Sequence, residues 1–337
     1  MAMAQGEFSF IENDIVDGLM AAAYRSGRPS DLRSIISETG VDIVSINTRP
    51  LLTEQAGYVR TWDNNDTVRV IRTSADIDAA LRDGILGVVF YIQRAWPIEP
   101  PQTPHQAVEE WFQSGVRVAQ LGYNQAYDEE RLARPYVRYS GTYEGELTDL
   151  GREVVAALLN HNILLDVSHT YMPASLEIIE MARERGRPVT ANHANARALQ
   201  NHPRNKSDAE ICGIAQSGGT VGITPVRSLV TWDDEATTDQ LVEHINYLVN
   251  LDCSDDQGNA IEMINHVSVA TDAFVDGWDP NSETGRRVYF NQEMNSPDRW
   301  MALASLLASA PNNYSADDLA KVFGGNLLRV YRAVFPG

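Results

Sequence analysis

Two histidines stand at the ends of short apolar runs: NILLDVSHT, residues 162 to 170, ends on His169, and RPVTANHAN, residues 187 to 195, carries His193. Strand-like runs that stop on a polar side chain recur at HVSVATD, ending on Asp272, at YIQ with Gln93, and at LGYN with Tyr123 and Asn124. Two imidazoles and a carboxylate brought to one place make either a mononuclear metal site or a metal-free acid/base set working near neutral pH. Both readings make these residues a candidate active site.

The elements that must position them are legible as β-rich apolar runs: 14–18, 41–47, 85–92, 116–122, 162–168, 187–193, 220–226 and 266–272. Helix-like segments lie between most of them, such as SADIDAALRDG, HQAVEEWFQSG and TTDQLVEHINYLVNL, several opening on Ser or Thr. Eight strands alternating with helices is the pattern of an α/β (βα)8 TIM barrel, and continuous apolar runs suit parallel strands covered on both faces. A doubly wound open sheet is disfavoured because neither GxGxxG nor a P-loop is present. The expectation is one barrel domain over 1–337, with C-terminal helices in 297–335 packing on it. The polar stretches 124–146 and 273–298 read as long loops at the mouth, where barrels keep their chemistry.

A formal net charge of -19 repels phosphate backbones and anionic lipid, so neither nucleic acid nor a membrane is expected as a partner. A small-molecule substrate fits better. The first residues show no basic start or signal-length apolar run, so the chain is expected to be cytoplasmic. Cys212 and Cys253 lack CxxC spacing, which predicts neither a disulfide framework nor a thiolate zinc site, and both are expected to be buried or inert.

Three long segments carry a family resemblance in order along the chain: LTDLGREVVAALLNHNILLDVSH, RPVTANHANARALQNHPRNKSDAEICGIAQSGGTVGI and DLAKVFGGNLLRVYR. They resemble the membrane (renal) dipeptidase family of zinc peptidases, amidohydrolase-like (βα)8 barrels. The resemblance implies that His169 and His193 match two ligands of the second zinc. It also implies that Arg204 in HPRN matches the arginine that holds a dipeptide's carboxylate, and that Asp272 matches a strand-eight aspartate that handles a proton, with Asp276 as a competitor. A homodimer is implied as well.

Against that pattern the chain departs sharply. The family's Asp-Gly-His-x-Asp is DGLMA here, so Leu19 and Ala21 replace both ligands of the first zinc. Gln93 stands where a glutamate bridges the two metals, and Tyr123 stands in place of a substrate-contacting histidine. A neutral amide is a poor substitute for a bridging carboxylate. The expectation is a degenerate zinc site and metal-independent chemistry in specialised biosynthesis, a tautomerisation, elimination or cyclisation of an amino-acid-derived carboxylate. His169, His193, Asp272 and Tyr123 would be catalytic, and Arg204, Gln93, Leu19 and Asn124 would bind substrate. No cofactor is expected, or at most one weakly bound zinc on His169 and His193. The alternatives are a mononuclear zinc dipeptidase and a non-catalytic binding protein, and Arg204 has the structural alternative of pairing with Asp208 or Glu210.

Overall fold

A computed structural model describes residues 16–21, 40–47, 66, 68–93, 98, 101–123, 136–140, 144–233, 236–274 and 299–337, with 16–21 described as backbone. The expected runs become parallel strands: β1 (Val16–Ala21), β2 (Ile43–Asn47), β4 (Leu86–Ile92), β5 (Val116–Ala119), β8 (Leu164–Asp166), β9 (Val189–Ala191), β10 (Thr220–Ile223) and β11 (Val267–Val269). A short additional strand, β3 (Val68–Val70), pairs with β4.

The ring closes through β12 (Ala273–Phe274), which pairs with β1 by Met20↔Ala273 and Ala21↔Phe274, while β11 pairs with β10. β11 and β12 are two pieces of the eighth barrel strand. Asp272, with φ of 53°, makes the break between them. Left-handed backbone is uncommon outside glycine and is tolerated best by Asn and Asp.

Side chains of alternate parity along each strand face opposite ways. Val44, Ile46, Val88, Phe90, Leu165, Val189 and Val221 join the helices in the larger core, whereas Ile43, Val89, Tyr91, Val118, Leu164 and Ala270 fill the barrel. The helices include α1 (Ser74–Asp83), α2 (Pro104–Gln113), α3 (Asp149–Asn160), α4 (Ala174–Arg183), α5 (Asp208–Gln216) and α6 (Thr238–Val249). Thr73, Thr103, Ser207 and Thr237 open four of them with reciprocal capping boxes, each satisfying backbone donors that the first turn leaves free.

After α7 (Arg299–Ala308) and α8 (Ala316–Ala320), α9 (Asn326–Val334) lies across the N-terminal end of the barrel. Its Asn326 donates to the carbonyls of Ile264 and Val267, and Arg329 donates to those of Gly218 and Asn265, all at the entries to strands. Tyr331 reaches Ser45 at 2.6 Å, so that end is filled and the opposite mouth is left for chemistry.

Two expectations need correction. Part of the stretch 124–146 is not loop: β6 (Val137–Ser140) and β7 (Glu144–Leu147) form an antiparallel pair with Gly145 and Leu147 buried. Cys212 of α5 and Cys253 are joined in a disulfide, their Cα atoms 5.4 Å apart. Spacing gave no hint because the bond spans 41 residues; closing such a loop stabilises a fold by about 4 kcal/mol in the chain-entropy model. Among the described residues no helix is long and apolar enough to cross a membrane.

Candidate functional site

His169 follows β8 and His193 follows β9, neighbouring parallel strands, so their side chains emerge side by side at the mouth. Both are fully buried, and their Nε2 atoms lie 2.9 Å apart. A contact of that length between two nitrogens needs one proton, which one ring donates and the other accepts. His193 is held well below the usual imidazole range, first by burial and then by the charges of Arg204 and Lys206, so it is neutral at physiological pH. The Gln93 amide nitrogen, at the end of β4, lies 3.4 Å from each Nε2. Tyr123 stacks on His169 with ring centres 4.2 Å apart and planes 16° from parallel.

Backbone crowding fixes this placement. An added Cβ at Gly222 of β10 would fall 1.9 Å from the Asn192 carbonyl, so glycine there allows the turn that carries His193 to pack against the sheet. The Gly222 carbonyl in turn accepts from the Ala194 N–H at 2.9 Å.

Below the imidazoles lies a buried polar layer whose members sit inside otherwise apolar runs. Asp166 accepts from the Ser168 hydroxyl at 2.5 Å, from the Ser168 and Asn192 backbone N–H groups, and from Tyr91 Oη at 2.5 Å. Burial pushes its carboxyl up, against the pull of those hydrogen bonds. Tyr91 also lies 2.5 Å from Gln120 Oε1, and Gln120 Nε2 donates to the Gln93 carbonyl. Asp166 Oδ2 is 4.0 Å from His193 Nδ1, a buried atom with no hydrogen-bond partner. Burial, then Asp166 and more weakly Asp272, drive the Tyr91 phenol well above its ordinary value, which sets Asp272 close to the same cluster.

Arg204 arrives on the segment after β9. The residue is buried at 8% exposure, and its Nε and Nη2 have no hydrogen-bond partner among the described residues. The pairing with Asp208 or Glu210 does not occur: Asp208 accepts from Tyr247, and Glu210 engages Lys206 at 3.3 Å, Ser175 at 2.7 Å and Arg197 at 3.6 Å. His169, His193 and Gln93 are thus in mutual contact with Tyr123 stacked on His169, while the charge of Arg204 acts on His193 and that of Asp272 on Tyr91 in the layer below. Leu19 lies on β1 with its side chain outside the described residues, and Asn124, Asp276 and the rest of the polar stretch from 275 to 298 also lie outside them.

Sequence reasoning missed Tyr91, Gln120 and Lys206. Their signal was polarity at inward strand positions for the first two; nothing local marked the third.

The donor set does not fit the family's two-zinc centre. Gln93 presents an amide nitrogen to both imidazoles where a bridging carboxylate would belong, and among the described residues no three His, Cys, Asp or Glu side chains converge as metal ligands. What remains is a proton-sharing pair with His193 neutral, beside a guanidinium whose Nε and Nη2 have no hydrogen-bond partner among the described residues.

Comparison with known proteins identifies relatives over most of the chain. The family model described as membrane dipeptidase (Peptidase family M19) matches residues 48–335. An uncharacterized protein in the pqqA 5' region of Klebsiella pneumoniae is 27% identical over 194 residues, 55% of this chain and 67% of that protein. Dipeptidase aclJ of Aspergillus oryzae is 28% identical over 225 residues, 65% of this chain but 46% of the relative, so the match spans about half of that protein's length. Among solved structures, an amidohydrolase from Pseudomonas aeruginosa superposes with a TM-score of 0.74 at 24% identity, covering 97% of this chain and 98% of its own. At that identity the likeness concerns the fold.

Proposed function

The chain belongs to the membrane dipeptidase family, and from that premise we propose that it is a repurposed member moving protons without a metal on an amino-acid-derived, carboxylate-bearing small molecule. The reaction class is tautomerisation, elimination or cyclisation, in a specialised biosynthetic role and as a homodimer. The observation that carries this reading is the 2.9 Å contact between the two Nε2 atoms with the Gln93 amide facing both. Of two imidazoles sharing one proton, one meets a substrate as acid and the other as base.

Arg204 supplies the anchor, since a bidentate guanidinium is suited to a carboxylate. Asp272 and Tyr123 are the further groups available for a second proton or for a hydrogen bond to a developing oxyanion. Gln93 orients the imidazoles.

The test is the zinc content of protein equilibrated with excess zinc, beside a His169→Ala control. Metal far below one equivalent, and unchanged in the control, is the expected result. Near-stoichiometric zinc that disappears in His169→Ala would sink the reading in favour of a mononuclear hydrolase on His169, His193 and a turned Gln93 carbonyl.

A cytoplasmic location forms the remaining part of the proposal, and one observation opposes it. The Cys212–Cys253 disulfide favours an oxidising compartment. Thiol labelling of protein from its native host, quenched in acid, decides: two labelled cysteines support the cytoplasm, none supports export.

A further inference from the structure

We propose that the site selects carboxylates bearing a flat apolar group, and that Trp232, backed by His202, is the wall on which that group rests. This rests on the reading of Arg204 as a carboxylate anchor and adds a second point of contact to it.

Trp232 is 61% exposed and Leu199 is 45% exposed, the large hydrophobic side chains left in water among the described residues. They belong to segments that follow β9 and β10, adjacent parallel strands, so both stand on the same rim as Arg204. A single exposed apolar side chain is common on any surface, and what sets this indole apart is its contact with the His202 ring beside Arg204.

His202 ties the indole to the anchor. Its Nδ1 accepts the Arg204 backbone N–H at 3.2 Å, and its ring lies 5.4 Å from the Trp232 ring, tilted by 40°. Burial, then the charges of Arg204 and Arg197, bring this imidazole down to about 4, so at neutral pH it is an uncharged ring and adds no second cation beside Arg204. The ring that touches the indole is thus bonded to the Arg204 backbone, and the Arg204 charge is near enough to act on both His202 and His193. A molecule whose carboxylate sits on Arg204 has one direction leading to the imidazoles and another leading over the indole, where offset stacking favours a planar group.

The experiment is calorimetric titration of N-acetyl-L-phenylalanine and N-acetyl-L-alanine into the wild type, Trp232→Ala, Trp232→Phe and Arg204→Met. In the wild type the phenylalanine probe is expected to bind about 5- to 10-fold more tightly. Trp232→Ala should bind both probes equally, Trp232→Phe should restore most of the preference, and Arg204→Met should bind neither. Equal affinities in the wild type, with binding still lost in Arg204→Met, overturn the wall and leave the anchor standing. Failure of the wild type to bind either probe overturns both. Undiminished preference in Trp232→Ala also overturns the wall, and a change from dimer to monomer in that variant then assigns the indole to a subunit interface.

Discussion

Lys206 and Arg204 stand two residues apart on one segment, and both are buried, yet the fold treats them in opposite ways. The Lys206 ammonium, with no exposure, donates to the Thr170 carbonyl at 2.9 Å and to Glu210 at 3.3 Å. Glu210 is itself saturated by Ser175, by the Ser207 hydroxyl and backbone N–H, and by Arg197. Although burial pushes the Glu210 carboxyl up, Lys206 and Arg197 pull it below the usual carboxylate range. Arg204 has no such counterpart among the described residues, where its Nε and Nη2 are buried without a hydrogen-bond partner. Burying an ion costs several kcal/mol unless another group offsets the loss of water. The lysine's compensation comes from within the fold; the arginine's is not found among the described residues, which is what the proposed carboxylate would supply.

Three outcomes sharpen that contrast or break it. Lys206→Met leaves Glu210 its Ser175 and Ser207 hydrogen bonds but only Arg197, at 3.6 Å, as a charge partner, and is expected to cost about 3–5 kcal/mol in urea unfolding. A neutral result would mean that the pair is not structural and the contrast fails.

Acid acts on the same segment, because His244 Nδ1 accepts the Ala196 N–H at 3.2 Å. Burial lowers the His244 imidazole from 6.5 to about 4, so the unfolded chain binds the extra proton first. Its contribution is fully present above pH 6.5 and is lost as pH falls toward 4, amounting to about 3 kcal/mol. The melting temperature measured across that window should fall, and His244→Leu should flatten the slope.

Arg204→Met is the smallest effect: stability within about 1 kcal/mol of the wild type, or above it, since an uncompensated charge gives way to an apolar chain of similar size. If it destabilises as strongly as Lys206→Met, the guanidinium has a partner within the protein and needs no ligand.

The barrel was legible because its strands are continuous apolar runs and several helices open on capping residues such as Thr73 and Ser207. The β6–β7 hairpin was not, since GEL and VRY are short and polar, and only the burial of Gly145 and Leu147 reveals the alternation. His169, His193 and Gln93 were placed by their positions at strand ends and by resemblance. The Tyr91–Asp166–Gln120 cluster depends on which residues of three strands share a layer, and that register is a property of the folded sheet. The alternative pairing of Arg204 with Asp208 or Glu210 stayed open for a similar reason: both Arg204 and Lys206 are near Glu210 in sequence, and only the direction of each side chain selects the lysine.

The contact between Ser45 and Tyr331 joins residues 286 apart, and β1 completes the ring only with β12. On a ribosome adding about 5–20 residues per second, the first strands wait roughly 15–60 s for their last neighbours to be synthesised. During that interval β2 and β4 are apolar strands without the helix that fills the end of the barrel, surfaces that chaperones bind and aggregation exploits. Loss of the final turn of α9 would therefore be felt first as low yield during synthesis, before any change in the chemistry at the opposite mouth.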